Sequence, residues 1–167
     1  MNSDETKQLF ASFVSAVTVV TCVDRKGRLT GLTASAVTPV SLRPPQLLVC
    51  VGSEADVLSD LRGCGGFNVH VLEQGQDELA WAFALGGEAK QERLAAMAPA
   101  WSAGANGLPV LEQCLARMDC SLAREYPGGD HNILLGKVAS GFAAAKGAEP
   151  MVYYQGRLDG RLLEPPA

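Results

Sequence analysis

The segment Gly31-Leu32-Thr33-Ala34-Ser35-Ala36-Val37-Thr38-Pro39-Val40-Ser41-Leu42-Arg43-Pro44-Pro45 concentrates small residues and hydroxyls around a single charge. Small side chains let a flat ligand or a phosphate approach the backbone closely. Hydroxyls and free N–H groups can hold phosphate oxygens without strong positive charge. Taken alone, the run also fits an edge strand and turn beside the apolar Leu47-Leu48-Val49-Cys50-Val51. A second group with chemical potential is Gly129-Asp130-His131. Glycine and aspartate set a tight turn, and the imidazole that follows stands at a strand entrance. There it can contact an anion or share a proton near neutral pH; the alternative is a turn histidine satisfied by neighbouring backbone. His70 falls on the polar side of an alternating stretch and reads as a surface or dimer-face residue. Arg93, in Lys90-Gln91-Glu92-Arg93, can clamp a phosphate, although such charge runs also form solvated helix faces.

No Ser-His-Asp order, Cys–His pair or paired carboxylates stands out, which gives hydrolysis and nucleophilic catalysis little support. A small-residue cradle with few reactive side chains suits a cofactor that brings its own chemistry. No Gly-x-Gly-x-x-Gly follows a strand, so a nicotinamide cofactor would not use that fingerprint. The net charge of -4 argues against a nucleic-acid partner, which needs a basic face. The five cysteines (Cys22, Cys50, Cys64, Cys114 and Cys120) are odd in number and include no Cys-x-x-Cys. They read as reduced thiols of a cytoplasmic protein, and His70 and His131 lack the spacing to join them in a zinc site. No apolar stretch approaches the roughly 20 residues that span a bilayer. The N-terminus, with Asp4, Glu5 and Lys7, has no signal-peptide core.

The elements that would position these groups follow from pattern. Asn2 with Glu5 predicts a capping box for a first helix that ends near Ser15. The β-branched run Val17 to Val23 predicts a strand, paired through the Asp24–Gly27 turn to a strand from Arg28 toward Ala36. Pro39 and Pro44-Pro45 should break regular structure before a strand at Gln46–Val51. A short helix is expected from Asp56 to Leu61, stopped by Gly63-Cys64-Gly65-Gly66. Phe67–Leu72 should be half buried, with Asn68 and His70 on its polar side. Helices are expected at Gln76–Ala84 and Glu88–Met97, and a loop at Trp101–Pro109. Cys114–Leu122 alternates, placing Arg117, Asp119 and Ser121 on a wet face. Strands at Ile133–Phe142 and Met151–Tyr154 follow, and residues 161–167 read as a frayed tail. The 167 residues fit one domain. About seven strands without regular helix alternation favour a mainly β fold, an antiparallel barrel with peripheral helices.

Several segments together resemble the flavin reductase-like family, the small reductase components of two-component flavin-dependent monooxygenases. They are Val17–Thr21, Gly31–Pro45, Leu47–Val51, Phe67-Asn68-Val69, Gly107–Leu111, Gly129-Asp130-His131 with Ile133 and Gly136, and Pro150–Gly156. The resemblance spans roughly residues 8–158. It implies a split antiparallel β-barrel that forms a homodimer and binds FMN or FAD at the dimer interface, with NADH or NADPH as hydride donor. By that likeness Thr33, Ala34, Ser35 and Ala36 line the flavin, with Cys50, Val51, Gly52 and Ser53 at the end of the next strand. Phe83 and Ala84 border the ring or ribityl chain, and Arg93 meets the phosphate. His131 is the catalytic, nicotinamide-side residue, with Asp130 and Tyr153 beside it. The expected function is a flavin reductase supplying reduced flavin to a partner monooxygenase. A flavin-binding module without reductase activity and a split-barrel FMN oxidase are the alternatives. The chain departs from the family pattern at His70, where asparagine is frequent, and at Leu94, where phenylalanine is. Its acidic Ser53-Glu54-Ala55-Asp56 is a third departure.

Overall fold

The computed structural model describes residues 2–97, 101–145 and 147–158. Seven antiparallel strands form the main sheet: β2 (Thr18–Val23), β3 (Leu29–Ala34), β4 (Val37–Leu42), β5 (Pro45–Gly52), β6 (Gly66–Val71), β9 (Ala116–Gly128) and β10 (His131–Ala143). Their spatial order is β3-β2-β6-β9-β10-β5-β4, so β3 and β4 are its hydrogen-bonding edges. The sheet is mainly antiparallel β with helices at its periphery, as expected, but its described pairings do not close into a barrel. A small sheet joins β1 (Ser15–Ala16), β11 (Val152–Tyr154) and β12 (Arg157–Leu158). Four helices surround the strands: α1 (Ser3–Phe10), α2 (Val57–Cys64), α3 (Asp77–Ala84) and α4 (Gly87–Ala96). None of the described helices is long and apolar enough to cross a membrane.

Two apolar clusters share β2. Val20 and Cys22 pack with Val49, Leu61, Phe67 and Leu134 against α2, while Val17 and Val19 pack with Leu72, Leu79, Phe83 and Met151 against α3. Burial on both faces explains the unbroken apolar run in this strand.

The polar side of β6 differs from the sequence expectation. Asn68 and His70 are fully buried, and so is Asp119 on the supposedly wet face of β9. The cause lies in residues 101–111, of which Trp101–Pro109 is expected as loop. They form a hairpin of β7 (Trp101–Ala103) and β8 (Pro109–Leu111). This hairpin covers the polar stripe and pairs most of it, while Asp119 Oδ1 lies 3.2 Å from Arg117 Nε without a hydrogen bond. Asn68 Nδ2 donates to the carbonyls of Leu108 and Pro109 at 3.1 Å each. Asp119 Oδ2 accepts from Ala105 N–H at 2.8 Å, and His70 Nε2 accepts from Leu111 N–H at 3.1 Å. His70 is therefore a buried cross-brace and not a surface or dimer-face residue.

Other expectations shift at their ends. The Asn2–Glu5 capping box is present, but α1 stops at Phe10, well before Ser15. It buries no residue, so tertiary packing does not prolong it. The expected stop ends α2 at the left-handed Gly65, with Gly63 and Cys64 still inside the helix, so α2 runs past Leu61 to Cys64. Pro39 sits within β4 beside a register shift, which an edge strand tolerates. The expected tail at 161–167 lies outside the described residues.

Candidate functional site

The end of β3 meets α3 across a cavity of about 160 Å³. Thr33, Ala34 and Ser35 form one wall, Ala80, Trp81 and Ala84 the other, and Tyr153 closes a side. Local bonds fix this wall. Thr33 Oγ1 donates to the Ala80 carbonyl at 2.5 Å, and Thr18 Oγ1 donates to the Ala34 carbonyl at 2.7 Å. A Cβ at Gly31 would stand 2.0 Å from the Val20 carbonyl oxygen and 3.1 Å from the Phe83 ring. Only glycine lets β3 lie this close to β2 beneath the Phe83 ring of α3.

A second cavity of about 350 Å³ shares Thr33 and Ala84 with the first and extends to Glu54, Asp56, Phe83 and Lys90. Lys90 is 6% exposed. Its ammonium donates to the Gly31 carbonyl. Burial holds its pKa below the usual lysine value, while Cys22, Asp56 and Asp60 act in the opposite direction. The two cavities adjoin at Thr33 and Ala84 and are together called the trough: one end is apolar and aromatic, and the other carries the buried Lys90 with two carboxylates, Glu54 and Asp56.

The end of β5 and the β9–β10 turn make a separate corner. Cys50 N–H donates to the Ala36 carbonyl, and Ser53 N–H to the Asp130 carbonyl, both at 2.9 Å. Asn132 Nδ2 donates to Ser53 Oγ at 2.9 Å. His131 stands opposite Gly52 in register. Its Nδ1 lies 2.7 Å from Asp130 Oδ1, a bond that holds the Asp130 carboxyl below the usual aspartate range.

The structure thus gathers the sequence-predicted residues into two groups. Thr33, Ala34, Ser35, Phe83, Ala84 and Tyr153 border the trough. Ala36, Cys50, Gly52, Ser53, Asp130 and His131 lie at the β5–β10 corner, and neither cavity is lined by His131. Val51 points into the core and is fully buried. Arg93 lines neither cavity; it is half exposed and sits 3.8 Å from Glu78. Sequence reasoning passed over Trp81, Asp56 and above all Lys90. The signal for Lys90 was its i,i+4 spacing to Leu94, which packs on the core and puts the lysine on the inward face of α4.

The flavin reductase like domain model matches residues 10–160, and the chain belongs to that family. Among curated relatives, the stachydrine N-demethylase reductase subunit of Rhizobium meliloti is 35% identical over 80% of this chain and 56% of its own length. An FMN reductase (NADH) of Pseudomonas syringae is 33% identical over 96% of this chain and 88% of its own. The chain spans about half the length of the first of these relatives. A solved NADH:FAD oxidoreductase of Streptomyces globisporus superposes with a TM-score of 0.86. It is 33% identical, with 99% of this chain and 95% of that one covered.

Proposed function

We propose that this protein is a flavin reductase that uses NADH to reduce FMN or FAD for a partner monooxygenase. The observation that carries the reading is the trough, a slot of small residues between Trp81 and Tyr153 that leads to a buried ammonium. Its small-residue walls suit a planar ring at one end, and at the other Lys90, set among Glu54 and Asp56, is the cation that a phosphate would meet. The flavin, when bound, accepts hydride from the nicotinamide and carries the reducing equivalents away.

The chain supplies position. Thr33, Ala34 and Ser35 let the ring lie against backbone, and Trp81 and Tyr153 exclude water from its sides. Lys90 offers charge to the phosphate, with Arg93 as an outer cation. Asp130 orients the His131 imidazole, which aligns the nicotinamide. Holding donor and acceptor in near-attack contact lowers the barrier without an ionising nucleophile. Trough and His131 corner are separate in one chain, so a homodimer completes the site and closes the split barrel. The chain works as a single domain in the cytoplasm, where its five thiols stay reduced. Reduced flavin then passes to a separate oxygenase, as the reductase-subunit name of one relative suggests.

The test is anaerobic mixing of protein, NADH and FMN or FAD while the nicotinamide absorbance is followed. Flavin-dependent loss is expected, and its absence with both flavins rejects the reading. His131→Ala should lower kcat/KM for NADH roughly tenfold, about 1.4 kcal/mol, with flavin binding unchanged. Unaltered kinetics would return His131 to a turn residue.

A further inference from the structure

The Lys90 end of the trough carries more negative charge than positive. Glu54 and Asp56 line its cavity of about 350 Å³, and Lys90 is the only cation on that wall among the described residues. Both carboxylates come from the bend that links β5 to α2, where the Ala55 N–H donates to the Gly52 carbonyl at 3.0 Å. Asp56 stands at the start of α2, yet its side chain caps no N–H there. Its Oδ2 lies 4.0 Å from the point that a Gly86 Cβ would occupy, and the Gly86 carbonyl accepts from the Lys90 N–H. The carboxylate therefore reaches toward the turn that carries Lys90. Glu54 and Asp56 are exposed, and neither joins a salt bridge among the described residues. Lys90, by contrast, is buried. Ala55 and the 42% exposed Leu85 add apolar surface to the same wall.

We infer that Glu54 and Asp56 make the trough select FAD over FMN. The inference rests on the flavin reductase reading and names the flavin which that reading leaves open. FMN ends in a phosphomonoester, a group of about -1.5 to -2 charge at pH 7. Brought to Lys90, this terminus also meets two carboxylates and has nothing to offer them. FAD carries a comparable charge on its diphosphate, but it continues into a ribose with two hydroxyls and an adenine. Hydroxyls donate to carboxylates, and such charge-assisted bonds are stronger than neutral ones. An acidic side chain recognises a ribose hydroxyl in dinucleotide sites through the same bond. The adenine adds apolar area that Leu85 and Ala55 can cover.

The size and salt dependence of the effect follow from exposure. Exposed charges are screened, so each carboxylate should cost FMN roughly threefold in affinity, and the two together about tenfold. The attraction of buried Lys90 is screened less than the repulsion of the exposed acids. Added salt should therefore tighten FMN binding, the reverse of what a simple basic phosphate site gives.

Equilibrium dialysis of the full chain against FAD, FMN and riboflavin measures the three affinities without NADH. FAD is expected to bind about tenfold tighter than FMN. In E54Q/D56N, FMN should tighten about tenfold and FAD should weaken, while riboflavin, which lacks the phosphate, binds as before. Both side chains are exposed and Asp56 makes no capping bond, so the double variant keeps the fold. Raising salt to about 1 M, where the Debye length is about 3 Å, should tighten FMN on the parent and leave the double variant unchanged. FMN binding the parent as tightly as FAD, or a preference that the double variant keeps, overturns the inference. So does an equal change for all three flavins, which would mark a packing effect. Flavins that bind and are reduced by NADH without the preference overturn this inference alone. If no flavin binds, the reductase reading falls and the inference falls with it.

Discussion

Lys90 keeps a long cationic side chain at 6% exposure with one carbonyl partner in the structure, Gly31. Such a group has donors left for an anion. Lys90→Met preserves the stem and removes the charge. Its expected effect is an FMN affinity lowered about tenfold, roughly 1.4 kcal/mol, with riboflavin, which lacks the phosphate, binding as before. Flavin fluorescence titration reads both; an equal loss for both would make Lys90 a packing residue. His70 carries a different prediction. Its Nδ1 bonds the Val19 carbonyl, and its Nε2 accepts from Leu111 N–H, so the folded ring is neutral. Burial first, and Arg117 second, push its pKa down to about 4, against the pull of Val19 and Asp119. Between the unfolded value of 6.5 and about 4, the unfolded chain binds a proton that the folded chain does not. Stability therefore rises with pH across that window and falls by about 3 kcal/mol from its top to its bottom. Urea unfolding at pH 7.5 and pH 5 should show about 2 kcal/mol of that loss, and His70→Gln should flatten it. Asp24, Glu125 and Asp130, held below their usual values by bonded partners, lose their contributions mainly at lower pH. The small-residue wall was legible in the sequence because its residue types are themselves the signal. The buried lysine was not, because a charged run reads as solvated until the face it occupies is known.

At the scale of elements, strand identity was legible wherever β-branched residues or clean alternation dominated, as in β2, β9 and β10. The β7–β8 hairpin was hidden by its Gly, Ala and Asn content, and that one omission also misplaced Asn68, His70 and Asp119. Their polarity is satisfied by backbone groups some forty residues away in the chain for Asn68 and His70, which no local pattern reveals. Gly31 shows how tightly the elements converge. It touches Val20 of β2 and Phe83 of α3, and its carbonyl receives Lys90 of α4. Gly31→Ala must displace backbone at a 2.0 Å contact, so a destabilisation of about 3 kcal/mol or more is expected. Thermal unfolding checks this. A variant as stable as the parent would mean that β2 and β3 can separate without cost.

At the scale of the whole molecule, the exposed apolar residues bear on assembly. Leu42 is 89% exposed at the edge strand β4, Phe13 73% beyond α1, and Trp81 63% at the mouth of the trough. A stable pair of chains needs about 800 Å² from each partner, a small part of the 9843 Å² surface. A net charge of -4 opposes association only weakly at physiological salt, where the Debye length is about 8 Å. Light scattering should report a particle of twice the 17.5 kDa chain mass. Trp81 belongs both to the trough wall and to the exposed set, which makes it the residue where assembly and flavin binding should be coupled. Trp81→Glu puts a charge at that shared position, whose desolvation on association is unfavourable. It is expected to weaken dimerisation and flavin binding together, and raising the protein concentration should restore both in parallel. A variant that is monomeric at all concentrations yet binds FMN with the parent's affinity would show that one chain completes the site alone.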